Sequence, residues 1–143
     1  MTEAEAQRSP TQQFTERFVA ATRALRIGPN LTYDADLGSL IGAAQLARVE
    51  SHVDQAVALG ATVLTGGRAR PDIGPYFYEP TVLSGVTTRM LVTREETFGP
   101  VVAVQRVEDD AHALAIARRC TLPPVVGNYA PATAVLPFHF DLE

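Results

Sequence analysis

Residues 43–67 leave the chain little choice of local structure. Leu46, Val49, Val53 and Ala56 recur at helical spacing, which predicts one amphipathic helix over residues 43–59 with those four side chains as its buried stripe. Gly60 stands where a left-handed residue ends such a helix. The run Ala61-Thr62-Val63-Leu64-Thr65 follows without a linker, and Gly66-Gly67 closes it, so a strand and a turn come next.

Three further stretches have clear local chemistry. Ser9-Pro10-Thr11-Gln12 carries a capping serine, a proline at the first helical position and a glutamine in capping-box register. Phe14, Phe18, Ala21 and Leu25 then form an apolar stripe, and Gly28-Pro29-Asn30 breaks that helix. Residues 31–42 read as a loop with extended pieces, and residues 68–75 as a second loop. Residues 76–83 have strand chemistry, although Pro80 interrupts any central ladder there. Residues 89–97 fit either a short helix or an irregular turn. The apolar run 101–107 after Pro100 reads as a strand buried on both faces and as the centre of a sheet. Asp109-Asp110 opens a last helix, with Ala111, Leu114 and Ala115 on one side and Arg118-Arg119 near its end, as the macrodipole favours. Helix, strand, strand, strand, helix gives an α/β layer with a short parallel or mixed sheet flanked by helices.

Composition narrows the function classes. A chain of 143 residues is one domain by default. A net charge of −4 offers no basic face for nucleic acid. No uncharged apolar stretch is long enough for a bilayer, and the first ten residues are polar and acidic, so neither membrane nor secretion is expected and a cytoplasmic protein is. One cysteine, Cys120, excludes an internal disulfide framework. His52, His112 and His139 are scattered, and all three read as surface or tail residues with no metal site. Gly66-Gly67 is too short to cradle a phosphate, and no G-x-G-x-x-G follows a strand. The composition changes at Cys120: no Asp, Glu, Lys or Arg occurs over residues 120–140, while Pro123, Pro124, Pro131 and Pro137 punctuate them. That tail is either an apolar extension lying on the domain or sequence that did not evolve with it, as from a shifted reading frame. The chain accordingly divides into a polar extension (1–8), a folded part (9–119) and a Pro-rich uncharged tail (120–143).

Six pieces, in order, carry a family resemblance: Phe14-Thr15-Glu16-Arg17-Phe18-Val19, Leu25-Arg26-Ile27-Gly28-Pro29, Asp36-Leu37-Gly38-Ser39-Leu40-Ile41, Gly60-Ala61 with Gly66-Gly67, Tyr76-Phe77-Tyr78-Glu79-Pro80-Thr81-Val82, and Glu95-Glu96-Thr97-Phe98-Gly99-Pro100-Val101. Together they resemble part of the catalytic domain of the NAD(P)-dependent aldehyde dehydrogenases, with Ser39 where the family has Pro. The stretch 66–72 taken with 76–80 looks most like the succinate-semialdehyde dehydrogenases.

That resemblance implies an oxidoreductase ancestry: an aldehyde oxidised to an acid by hydride transfer to NAD or NADP, through a thiohemiacetal and a thioester. It places Glu96 on the nicotinamide ribose hydroxyls, a sound role for a carboxylate with two acceptor oxygens, and Phe98 beside the nicotinamide ring. Gly99 would allow close backbone approach, and Pro100 would set the direction of entry into the next strand. From residue type alone, Glu95 and Glu96 are instead solvated charges at a helix end and Phe98 a core anchor. The family's nucleophilic cysteine would precede Phe14, where this sequence has no Cys, and Thr121, Leu122 and Pro123 beside Cys120 do not resemble its loop. No catalytic residue is therefore assigned. Negligible turnover and no strong NAD(P) binding are expected of this chain alone. Open strand edges are expected too, and with them a non-catalytic alternative: a module pairing with itself or with a full-length subunit through that edge or the tail.

Overall fold

A computed structural model describes residues 9–29 and 34–118. Residues 1–8, Cys120, His139 and the whole Pro-rich tail lie outside them, as do residues 30–33 of the first loop. The architecture is mixed α/β: helix α1 (Pro10–Ala24), helix α2 (Ala43–Ala58), strand β1 (Thr62–Thr65), strand β2 (Thr81–Ser84), the one-turn helix α3 (Leu91–Arg94), strand β3 (Val101–Val104) and helix α4 (Asp110–Ala117). The sheet order is β1-β2-β3, with β1 antiparallel and β3 parallel to β2. No described helix is long and apolar enough to cross a membrane.

The core sits where α2 meets the sheet. Val49, Val53 and Ala56 of α2 pack with Ala61, Tyr78, Leu83, Val86 and Met90, and Leu46, Val101 and Ala103 lie against that cluster. The stripe read from the sequence is thus the buried one. Val49, Val53, Leu83 and Met90 are fully buried, and each such side chain contributes roughly 1.5–3 kcal/mol by leaving water. Gly60 ends α2 at φ +101°, a conformation that side chains with a Cβ rarely adopt. Buried Thr81 is satisfied twice: its hydroxyl donates to the Glu79 carbonyl at 2.7 Å and accepts from Gly67 N–H at 2.8 Å.

Four local expectations change. First, β2 and not β3 is the central strand. Pro80 lies one residue before β2, so its missing N–H removes no ladder bond, and Thr81 N–H already bonds to Pro100 O. Second, β3 stops at Val104 and is not buried on both faces: Val101 and Ala103 lie against the core, while Val102, pointing the other way, is 45% exposed. Third, α1 starts with the complete capping box but ends at Ala24, before Gly28, and the chain leaves it extended. Its apolar stripe is not buried. Phe14 is 57% exposed and stacks on Phe18 with ring centroids 5.7 Å apart, and Leu25 is also exposed. Fourth, His52 is a buried residue of α2 and not a surface one. α4 is capped by Asp109 as read, yet buries none of its residues, and Leu114 is 56% exposed.

The loop after α1 does hold extended pieces. Ile27 and Leu37 form a parallel bridge, tied by the Arg26–Asp36 ion pair at 3.3 Å. The Arg26 side chain holds the Asp36 carboxyl below the usual carboxylate range.

Candidate functional site

The ambiguous stretch before β3 resolves into one helical turn followed by an irregular segment, residues 95–100. One side of α2 holds that segment in place. Gln45, Arg48, Val49 and His52 sit at i, i+3, i+4 and i+7, so they share a helix face. The Gln45 amide nitrogen donates to the carbonyls of Thr97 and Phe98, each at 2.7 Å. Arg48 pairs with the Glu95 carboxylate at 3.3 Å. His52 lies 3.1 Å from the Thr97 hydroxyl through Nδ1, and 3.7 Å from Glu95 Oε2 through Nε2. Gln55, one turn further on, accepts from Leu91 N–H at 3.0 Å and so anchors α3 as well.

Gly99 completes the clamp by having no side chain. A Cβ there would come 2.5 Å from Cγ2 of the fully buried Val49, closer than carbon atoms approach. The close backbone approach expected of Gly99 is made to α2.

The two expected site residues are both presented outward. Phe98 is 71% exposed and adopts φ +48°, a left-handed conformation that is uncommon outside glycine. The reading of Phe98 as a core anchor is thereby overturned: the clamp holds its carbonyl and leaves its ring in solvent. The adjacent carboxylates have different environments. Glu95 turns to Arg48 and His52, whereas Glu96 is exposed and no cation pairs with it among the described residues. Glu95 is therefore not the free solvated charge that residue type suggests.

Burial pushes the His52 pKa below its ordinary 6.5, and Arg48 adds to that, with Glu95 opposing. The ring is neutral at pH 7. Its position on the helix was visible in the sequence, but with no further metal ligands converging on it His52 read as a surface residue. The available signal was the polar series Gln45, Arg48, His52, running beside the apolar stripe.

The stretches that suggested the subfamily are strapped together elsewhere. Ala69 and Tyr78 form an antiparallel bridge. Arg70 N–H donates to Phe77 O and Glu79 N–H to Arg68 O. Arg68 and Arg70 both reach the Glu79 carboxylate, at 3.0 and 3.5 Å, and Arg70 grips Asp72 at 2.7 Å. Arg70 holds the Asp72 carboxyl below its usual range. Burial pushes the Tyr78 hydroxyl well above its ordinary value, so it stays protonated in the core. Among the described residues no three of His, Cys, Asp and Glu converge so as to hold a metal ion.

Known proteins resemble this chain in sequence and in fold. The aldehyde dehydrogenase family model matches residues 4–122. A putative succinate-semialdehyde dehydrogenase (NADP+) of Mycolicibacterium smegmatis is 50% identical over 108 residues, covering 76% of this chain and 21% of that protein. The crystal structure of an E. coli NADP-dependent enzyme superposes with a TM-score of 0.70 at 37% identity, over 74% of this chain and 22% of the other. Aldehyde dehydrogenase 21 of Physcomitrella patens, solved with the reaction product succinate, gives 0.67 at 35% identity, over 73% and 21%. The chain thus spans about a fifth of the length of the curated relatives it matches. It belongs to the aldehyde dehydrogenase family.

Proposed function

We propose that this chain supplies the nicotinamide-facing wall of an NADP-dependent succinate-semialdehyde dehydrogenase, with Glu96 accepting from the ribose hydroxyls and Phe98 lying beside the nicotinamide. One observation carries the assignment. Of two neighbouring carboxylates, the fold occupies Glu95 and, among the described residues, leaves Glu96 open, next to an aromatic ring held outward in a left-handed backbone. A free carboxylate with two acceptor oxygens suits a vicinal diol, and an exposed ring offers a flat apolar surface. Bound there, the dinucleotide supplies the hydride acceptor. The choice of NADP and of succinate semialdehyde rests on the names of the Mycolicibacterium relative and the E. coli enzyme, and on the succinate in the Physcomitrella structure.

Glu96→Gln and Phe98→Ala, made in a chimera carrying residues 9–118 within the Mycolicibacterium relative, test this. Loss of a charge-assisted pair of hydrogen bonds is worth about 1.5–3 kcal/mol, so the KM for NADP+ should rise roughly 10- to 100-fold in Glu96→Gln. An unchanged KM in both variants defeats the assignment. As a separate polypeptide, the 143 residues should reduce no NADP+ with succinate semialdehyde.

Two surfaces favour a second, compatible reading, in which the chain pairs with itself or with a full-length subunit. The outer edge of β3 is unpaired among the described residues, and the Phe14–Phe18 stack lies open on α1. Light scattering that returns a monomer mass at every concentration, with and without such a subunit, would remove it.

A further inference from the structure

His52 does more than fill the core. Its ring is almost wholly buried, with a polar partner at each nitrogen, and both partners belong to the segment that presents Glu96 and Phe98. Glu95 Oε2, an acceptor only, faces Nε2, and Arg48 already donates to that same oxygen. At 3.7 Å the approach of Nε2 to Glu95 is an electrostatic contact and not a hydrogen bond, and a neutral ring with its proton on Nε2 suits it. Nδ1 is then an acceptor, and the Thr97 hydroxyl donates to it. Gln45 holds the carbonyl of the same Thr97 from the preceding turns of α2. Thr97 is thus gripped by side chain and main chain at once, immediately before the left-handed Phe98.

We propose that His52 is a positioning residue: its neutral imidazole, acting through Thr97, fixes the turn that presents Phe98, and protonating the ring loosens that turn. On protonation Nδ1 becomes a donor, so the Thr97 hydroxyl must reverse. Nε2 carries its proton in both forms, but the ring then bears a positive charge beside the Arg48 guanidinium. The charged groups facing the ring are Arg48 from its own helix and Glu95 from the segment across from it, and their effects oppose each other. Burial tips the balance toward the neutral form. The positioning rests on these contacts; only its consequence for a bound dinucleotide rests on the function proposed above.

Nuclear magnetic resonance on the 143-residue chain tests it without cofactor. Between pH 8 and 5 the His52 ring protons should titrate with a midpoint below the ordinary 6.5, and the amides of Thr97, Phe98 and Gly99 should move with the same midpoint. In Thr97→Val, which keeps the ring but removes the hydroxyl, His52 should still titrate while the Phe98 amide no longer follows. In His52→Gln the shared titration should vanish. If that variant fails to fold, Thr97→Val carries the test alone. Amides at 97–99 that stay still while His52 titrates would overturn the proposal. So would a Phe98 amide that still follows the ring in Thr97→Val. A failed NADP+ assay would touch the proposed function and leave this inference intact.

Discussion

Gly99→Ala isolates the contact that seats the segment on α2. The new methyl would lie 2.5 Å from Val49 Cγ2. Val49 cannot yield easily: it is fully buried, and a valine in a helix has one strongly preferred rotamer. Gly99 does not have a positive φ, so alanine meets no backbone strain, and the cost is one of overpacking. Overpacking costs about 1–3 kcal/mol, and the stiffer unfolded chain returns about 0.4–1 kcal/mol, leaving a net loss of about 1–2 kcal/mol. Val49→Ala alone removes two methyl-sized groups at about 0.8 kcal/mol each plus a cavity term, for about 2–3 kcal/mol. The double variant is the decisive arm. The methyl introduced by Gly99→Ala would occupy space that Val49 vacates, so the pair should cost no more than Val49→Ala alone, a coupling of about 1–2 kcal/mol. Urea unfolding of the four proteins measures the cycle, provided the m-values agree. Additivity within about 0.5 kcal/mol would refute the argument, because it would mean that the two positions do not share space.

Gln45→Ala should remove both hydrogen bonds to the Thr97 and Phe98 carbonyls and cost about 1–2 kcal/mol locally. Hydrogen exchange at residues 97–99 should rise roughly 5- to 30-fold, and unchanged protection would contradict the clamp. Stability should also depend on pH through His52, whose folded pKa lies below its unfolded value. Its contribution is complete above the unfolded value of about 6.5, declines as pH falls because the unfolded chain takes up the proton first, and levels off below the folded pKa. Asp36 and Asp72 have lowered pKa values too, so their losses belong to a separate window below about 4. Denaturant midpoints between pH 8 and 5 should fall in the native chain and flatten in His52→Gln; equal slopes would exclude His52 as the source.

Much of this was legible along the chain because it depends on short-range rules. The capping box at Ser9, the buried stripe of α2, the left-handed exit at Gly60 and the cap at Asp109 are each set by residues within a few positions of one another. Glu96 and Phe98 could be marked only through the family pattern, since residue type alone pointed Phe98 into the core. Tertiary structure decided what depends on distant partners. Strand order is one case: Pro80 looked disruptive until the ladder was seen to begin at Thr81. The exposed stripe of α1 is another, since a helix face is buried only where another element covers it. The division of labour between Glu95 and Glu96 is the third. Nothing local distinguishes two adjacent glutamates, and only the approach of Arg48 and His52, more than forty positions earlier, occupies one of them and leaves the other without a cation among the described residues.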